Sequence, residues 1–145
     1  MSDRHSPEQR KYNMQQIRSK NTKPEILLRK LLFLEGFRYR INDRKLPGKP
    51  DIVLKKYNTV IFVNGCFWHG HQDCRYFVMP KTRTEFWTEK ISRNKIRDLR
   101  NSSLLQEAGW YVIIVWECEL KKNNIEETLK RLIIEIKSSL GNQSE

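Results

Sequence analysis

A chain of 145 residues carrying 28 lysines and arginines against 17 aspartates and glutamates, net +11, has the length of one domain core and the charge of a partner to a polyanion. No stretch approaches the roughly 20 apolar residues of a membrane span, and the first ten residues lack the apolar segment of a signal peptide, so a cytoplasmic protein with no membrane partner is expected. Three cysteines cannot all pair, which argues against a disulfide framework.

The charge is uneven. Residues 1–50 hold 13 basic against 5 acidic side chains, residues 75–100 hold 8 against 3, and residues 101–145 hold 5 against 7. A basic face is implied, which by itself leaves nucleic acid and anionic membrane both open. Residues 1–20 form a basic N-terminal arm; within it, 7–20 have only Tyr12, Met14 and Ile17 apolar and read as a weak amphipathic helix ordered by a partner, or as a loose terminus. Residues 21–145 read as the single domain.

Thr22-Lys23-Pro24-Glu25 has the form of a capping box, followed by Leu27, Leu28, Leu31, Leu32 and Leu34 at helical spacing up to Gly36. Phe37, Tyr39 and Ile41 alternate with Arg38 and Arg40 as in an edge strand. A Pro-Gly turn, Leu46 to Asp51, leads into Ile52–Leu54; a turn at Tyr57-Asn58 and the run Val60–Val63 complete a hairpin. A second capping box, Thr82 to Glu85, opens a long helix through Phe86, Trp87, Ile91, Ile96, Leu99 and Leu104 to Gly109, with one of Phe86 and Trp87 in the core. Tyr111–Trp116 is nearly all apolar and is expected to be a central strand buried on both faces. A last helix with Leu129, Leu132, Ile133, Ile136 and Leu140 on one stripe closes at Gly141. The predicted order α, α, β, β, β, α, β, α gives an α/β fold, a mixed sheet flanked by helices.

Chemistry concentrates around the three cysteines. Cys66 and Cys74 bracket two histidines in Cys66-Phe67-Trp68-His69-Gly70-His71-Gln72-Asp73-Cys74, and Cys118 lies just past the last strand. Thiolates and one imidazole make a four-ligand zinc set, in which His69 or His71 could serve; the other histidine is then a candidate general base. Asp51 begins one hairpin strand where the zinc turn leaves the other, so it lies near that turn and could hold Mg²⁺, or merely end the Pro-Gly turn. Glu25 is accounted for by its capping box, and joins the site only if its helix packs over it. Phe67 and Trp68 sit in a polar turn and could stack on or wedge between bases; packing around zinc is the alternative. Arg83, Lys90, Arg93, Lys95, Arg97 and Arg100 are candidates for phosphate contacts or a solvated helix face.

Taken together, Asn13-Met14-Gln15, Leu46 to Asp51, Gly65 to His69, Thr82 to Trp87, Leu105-Gln106-Glu107-Ala108-Gly109-Trp110 and Val115 to Cys118 resemble the very short patch repair (Vsr) DNA mismatch endonucleases, over residues 8 to 120. The resemblance implies a restriction-endonuclease-like fold of the PD-(D/E)XK type with structural zinc at Cys66, His71, Cys74 and Cys118. It implies Mg²⁺-dependent nicking of duplex DNA 5′ to the thymine of a T·G mismatch, the product of 5-methylcytosine deamination. Asp51 would be the main Mg²⁺ ligand, His69 the base or partner of the attacking water, and Glu25 an orienting acid. Phe67, Trp68 and Trp87 would wedge beside the mismatch, with Met14 entering from the minor groove. A monomer that cooperates with a MutL-type repair protein is expected.

Two departures from the family pattern stand out. Val63-Asn64 replaces the familiar Thr-His. A main-chain carbonyl at Val63 preserves a metal contact, whereas Asn64 cannot act as a base and is left to hydrogen-bond a phosphate or bound water. The gap between His71 and Cys74 is one residue longer than usual, still within zinc spacing. The alternatives are a related nuclease that cuts paired or modified DNA, and a zinc-stabilised protein that binds distorted DNA without cutting.

Overall fold

A computed structural model of the chain describes residues 22–142, with side chains to Ser139. The N-terminal arm and Met14 lie outside the described residues. Helix α1 (Lys23–Leu34) precedes strands β1 (Arg40–Ile41), β2 (Ile52–Leu54) and β3 (Thr59–Asn64), then α2 (Thr84–Glu107), β4 (Tyr111–Trp116) and α3 (Ile125–Asn142); short 3₁₀ turns cover Lys55–Tyr57 and Glu117–Leu120. The sheet runs β1-β2-β3-β4, antiparallel through the first three strands and parallel between β3 and β4. The parallel step follows from topology: α2 is the long crossover that lets β4 run beside β3.

Alternation along the strands builds two cores. Ile52, Leu54, Ile61, Ile113 and Val115 face Leu28 and Leu32 of α1 and Leu132 and Ile136 of α3. On the other face Val53 and Val60 meet Leu105 of α2, with Phe62, Trp110 and Val112 against them. The sheet is thus covered by two helices on one side and one on the other, the mixed α/β architecture expected. Asn58 takes the left-handed conformation (φ 47°) that the tight β2–β3 connection needs.

Several local expectations are corrected. β4 is an edge strand, paired only with β3 among the described residues. On one face Ile113 and Val115 are buried while Tyr111 at the strand's start is 39% exposed, and on the other Ile114 lines an open cleft, so neither face is covered along its whole length. Its apolar run reflects helices on the two faces rather than strands on both sides. Thr22 is the N-cap of α1 but makes no side-chain capping bond; Glu25 turns inward instead. At α2 the N-cap is Arg83 (φ 53°), also without a capping bond, and Thr84 Oγ1 donates to the Pro80 carbonyl at 3.0 Å. Gly36 and Gly109 terminate α1 and α2 with φ near 95°, as expected, whereas α3 continues past Gly141 to Asn142. Neither Phe86 nor Trp87 enters a core: Phe86 is exposed and Trp87 half-buried among other rings.

Candidate active site

One large cleft opens between the end of the β2–β3 hairpin, the N-terminus of α1 and the inward face of α2. It has a volume of about 1560 Å³ and includes Glu25, Asp51, Val63, Asn64, Trp68, His69 and Asp98 in its walls. The sequence-predicted catalytic residues Asp51, His69, Glu25 and Asn64 are therefore brought together, as is Val63.

The register explains Asp51. Ile52 pairs with Ile61, so Asp51, one residue earlier, projects beyond the last β2 rung toward Val63. The Val63 amide donates to Asp51 Oδ2 at 2.6 Å. Glu25 lies one turn before Leu28 on the buried stripe of α1, 5% exposed, which aims it at the same strand ends. Arg29, one turn on, donates to Glu25 Oε2 at 3.1 Å. Burial, and then the neighbouring Glu25 carboxylate, push Asp51 up from 3.8 to about 7, only partly offset by the Val63 amide. Two carboxyl groups facing each other in a desolvated corner form a site that a cation would relieve.

His69 reaches the cleft from the turn after β3. Its Nδ1 lies 2.6 Å from Asp98 Oδ2 on α2. That contact fixes the tautomer in which Nδ1 carries the proton and Nε2 presents a lone pair. Asp98 was not foreseen from the sequence. Its signal was there, as the lone acid in the basic run Lys95 to Arg100, one face-repeat from Asn94 and Ile91. Asn94 was missed too; its side-chain amide donates to the Trp68 carbonyl at 2.8 Å, tying the aromatic turn to α2.

Phe67, Trp68 and Trp87 pack on one another with ring centroids 5.2 to 5.7 Å apart, all edge-on. Phe77 and Phe86 extend the group at 6.1 and 5.1 Å. Phe67, Trp68, Phe77 and Trp87 are half-buried against each other while Phe86 is exposed, and Trp68 lines the cleft. Of the six basic residues of α2 and its entry, Lys90, Arg93 and Arg97 line the cleft. Arg83 sits over the Phe86 ring and Lys95 over Gly70.

Behind the aromatic turn, Cys66, His71, Cys74 and Cys118 gather with their donor atoms all within 4.8 Å, a set that could hold a metal ion. The backbone closes the turn through His71 N to the Cys66 carbonyl (2.8 Å) and His69 N to the Gly65 carbonyl (3.1 Å). Gly70 is required there: its φ is +63°, and a Cβ would lie 2.3 Å from Lys95 Cε and 2.7 Å from Ile91 Cγ2. In the gap between His71 and Cys74, Asp73 takes the left-handed conformation (φ 56°). His71 stacks on Trp116 at 4.1 Å and 9°, turning Nδ1 to within 3.5 Å of Cys118 Sγ. Cys118 is carried by the 3₁₀ turn after β4, which Glu119 braces by accepting from Trp116 N (3.0 Å) and Arg131 (2.6 Å). Burial pushes the Cys66 thiol up to about 12, which keeps it protonated unless a metal ion displaces the proton.

A family profile described as DNA mismatch endonuclease Vsr matches residues 2–76. The type II nicking enzyme V.NmeAIP of Neisseria meningitidis serogroup A / serotype 4A is 52% identical over 141 residues, covering 97% of this chain and all of the relative. The type II nicking enzyme V.XorIIP of Xanthomonas oryzae pv. oryzae is 48% identical over 135 residues, 93% of this chain and 98% of the relative. The DNA mismatch endonuclease Vsr of Escherichia coli K12 is 50% identical over 121 residues, 83% of this chain and 77% of the relative. These matches overturn the non-cutting alternative, and with the acid-histidine cleft they mark a DNA-nicking endonuclease. The chain belongs to the Vsr family of DNA mismatch endonucleases.

Proposed function

We propose that the protein nicks duplex DNA 5′ to the thymine of a T·G mismatch by Mg²⁺-dependent phosphodiester hydrolysis and so initiates very short patch repair. The observation that carries this reading is the meeting of two units in one cleft: the buried Asp51 and Glu25 carboxyls, and the His69 imidazole held by Asp98. Nδ1 being committed to Asp98, Nε2 of His69 is the atom that takes a proton from the attacking water. Water oxygen bonds to phosphorus as the opposite phosphorus–oxygen bond opens; the leaving oxygen takes a proton from solvent water, and Asp98 steadies the imidazolium until it returns its proton to solvent.

The donor sets fit the implied metals. In a β-strand the N–H and C=O of one residue point the same way. Since the Val63 amide reaches Asp51, its carbonyl is directed to the same side, supporting Asp51 and the Val63 carbonyl as Mg²⁺ ligands with Glu25 beside them. Bound there, Mg²⁺ supplies positive charge to the phosphate oxygens and lowers the pKa of the attacking water. The valine side chain meanwhile packs on the main core, so position 63 needs no hydroxyl. A tetrahedral zinc with bonds of about 2.0–2.3 Å separates sulfur and nitrogen ligands by about 3.6 Å. The His71 to Cys118 distance of 3.5 Å supports zinc at Cys66, His71, Cys74 and Cys118, where it would tie the aromatic turn to the end of β4.

Asn64 is buried at the end of β3 and lines the cleft. Lacking a titratable nitrogen, it leaves proton transfer to His69 and hydrogen-bonds a phosphate or bound water. Phe67, Trp68 and Trp87 open the stack beside the mismatch, where a T·G pair resists less than a Watson-Crick pair. Lys90, Arg93 and Arg97 hold phosphates. The reading also carries a restriction-endonuclease-like fold, entry of Met14 from the minor groove, a monomeric enzyme acting in the cytoplasm, and a MutL-type partner.

The test is strand-specific nicking of end-labelled duplexes carrying one T·G mismatch in many flanking contexts, with Mg²⁺ and matched T·A controls. A cut 5′ to the mismatched thymine and absent from the controls is expected. Cutting of fully paired or modified duplexes at equal rate would replace this function with that of a related nuclease.

A further inference from the structure

Four carboxylates line the cleft, and three are already engaged: Glu25 with Arg29, Asp51 with the Val63 amide, Asp98 with His69. The fourth, Glu117, has no hydrogen-bond or ion-pair partner among the described residues. It follows Trp116, which closes β4 opposite Asn64 of β3, so it stands at the mouth of the parallel strand pair. A methyl group built on Gly65 would meet Glu117 Oε2 at 3.7 Å and Trp68 Cδ1 at 3.6 Å. The carboxylate and the edge of the wedge indole thus converge on one point above Gly65.

An unpaired carboxylate is costly in that place. The same cleft presents Lys23, Arg44, Lys49, Lys90, Arg93 and Arg97 to a polyanion, and each phosphate repels Glu117. No structural duty accounts for it: it lies outside the Cys/His cluster, and Glu119 braces the 3₁₀ turn. What a carboxylate offers to DNA is hydrogen-bond acceptance without donation. The base edge matching that chemistry is the N4 amino group of cytosine in the major groove. Adenine N6 fits less well, because its neighbour N7 is itself an acceptor facing the carboxylate, and thymine O4 and guanine O6 are acceptors that repel it.

We propose that Glu117 is a specificity residue, accepting a hydrogen bond from N4 of a cytosine in the base pair flanking the step that Trp68 opens. This rests on the mismatch-nicking function proposed above.

The experiment measures kcat and KM for nicking of T·G duplexes with all four base pairs at each position flanking the mismatch, for wild type, Glu117→Gln and Glu117→Ala, with zinc content as a check on folding. Wild type should favour cytosine at one flanking position by about tenfold or more. Both variants should flatten that preference by slowing the favoured context while the others hold or gain; glutamine, which both donates and accepts, should admit the carbonyl-bearing bases best. Parallel profiles in wild type and variants, uniformly raised or unchanged, would overturn the inference and leave Glu117 a repelling charge only. Uniform loss with a raised Mg²⁺ requirement would overturn it by placing Glu117 in metal binding. No mismatch cutting by wild type in any context would remove the function proposed above, and this inference with it.

Discussion

Replacing Asp51 by asparagine removes a charge while keeping the local geometry: the amide oxygen accepts from Val63 N–H, and the amide nitrogen donates to Glu25. In metal-free wild type, desolvation and then Glu25 push Asp51 from 3.8 to about 7. Between about pH 4 and 7 the folded chain holds a proton that the unfolded chain has released, so stability falls as pH rises through that window and stays low above it. That interval, at about 1.4 kcal/mol per pH unit, sets a ceiling of about 4 kcal/mol on the cost of ionised Asp51. Asp51→Asn should therefore be more stable than wild type in Mg²⁺-free buffer by about 2 to 4 kcal/mol at pH 8, with less than half that gain at pH 5. Urea denaturation at the two pH values measures it. Mg²⁺ should stabilise wild type and not the variant, and the variant should lose nicking. A gain equal at both pH values, or a variant less stable at pH 8, would refute the claim that a frustrated carboxylate pair is held for the cation. Nicking at the wild-type rate by Asp51→Asn would refute its catalytic role.

Asp98→Asn should slow nicking by about a hundredfold or more, because asparagine can donate to His69 Nδ1 and stabilise the tautomer with the wrong free nitrogen. The check is single-turnover nicking at saturating duplex, and a wild-type rate in the variant would contradict it. Gly70→Ala should lower stability by at least about 1–3 kcal/mol and reduce zinc content, since positive φ and contact with Lys95 and Ile91 both oppose a methyl group; thermal melts read it, and wild-type stability would contradict it. Cys66→Ala, or chelation of the metal, should expose the turn between Cys66 and Cys74 to protease and lower Tm, whereas full stability and metal content would remove the zinc from the structure's support.

The elements around the site could be read from sequence because their boundaries are local chemistry: Gly36 and Gly109 stop helices, and Asn58 makes a hairpin turn. The capping boxes failed for a physical reason. Glu25 has the residue type and spacing of a cap, but it shares a stripe with Leu28 and Leu32, and that stripe packs over the strand ends. Tertiary packing turned a local signal into an acid in the wall of the cleft. β4 misled in a similar way, since an apolar run reports covered faces and says nothing about which edge is paired.

The harder lesson lies in α2. Three of its apolar residues, Ile96, Leu99 and Leu104, are 59%, 70% and 44% exposed. The face turned to the sheet instead runs through Trp87, Ile91, Asn94, Asp98, Asn101 and Leu105 at three- and four-residue steps. Apolar residues anchor the two ends of that stripe, and polar ones fill its middle. In a helix that only stabilised the fold, such a stripe would be an error of patterning; here its centre is the wall of a cleft, carrying the partners of Trp68 and His69. Hydrophobic periodicity found the helix and missed its orientation because the functional face breaks the pattern that identifies a core. A polar interval of two turns bounded by buried apolar residues on one helical face is therefore the sequence signal that would have located Asn94 and Asp98.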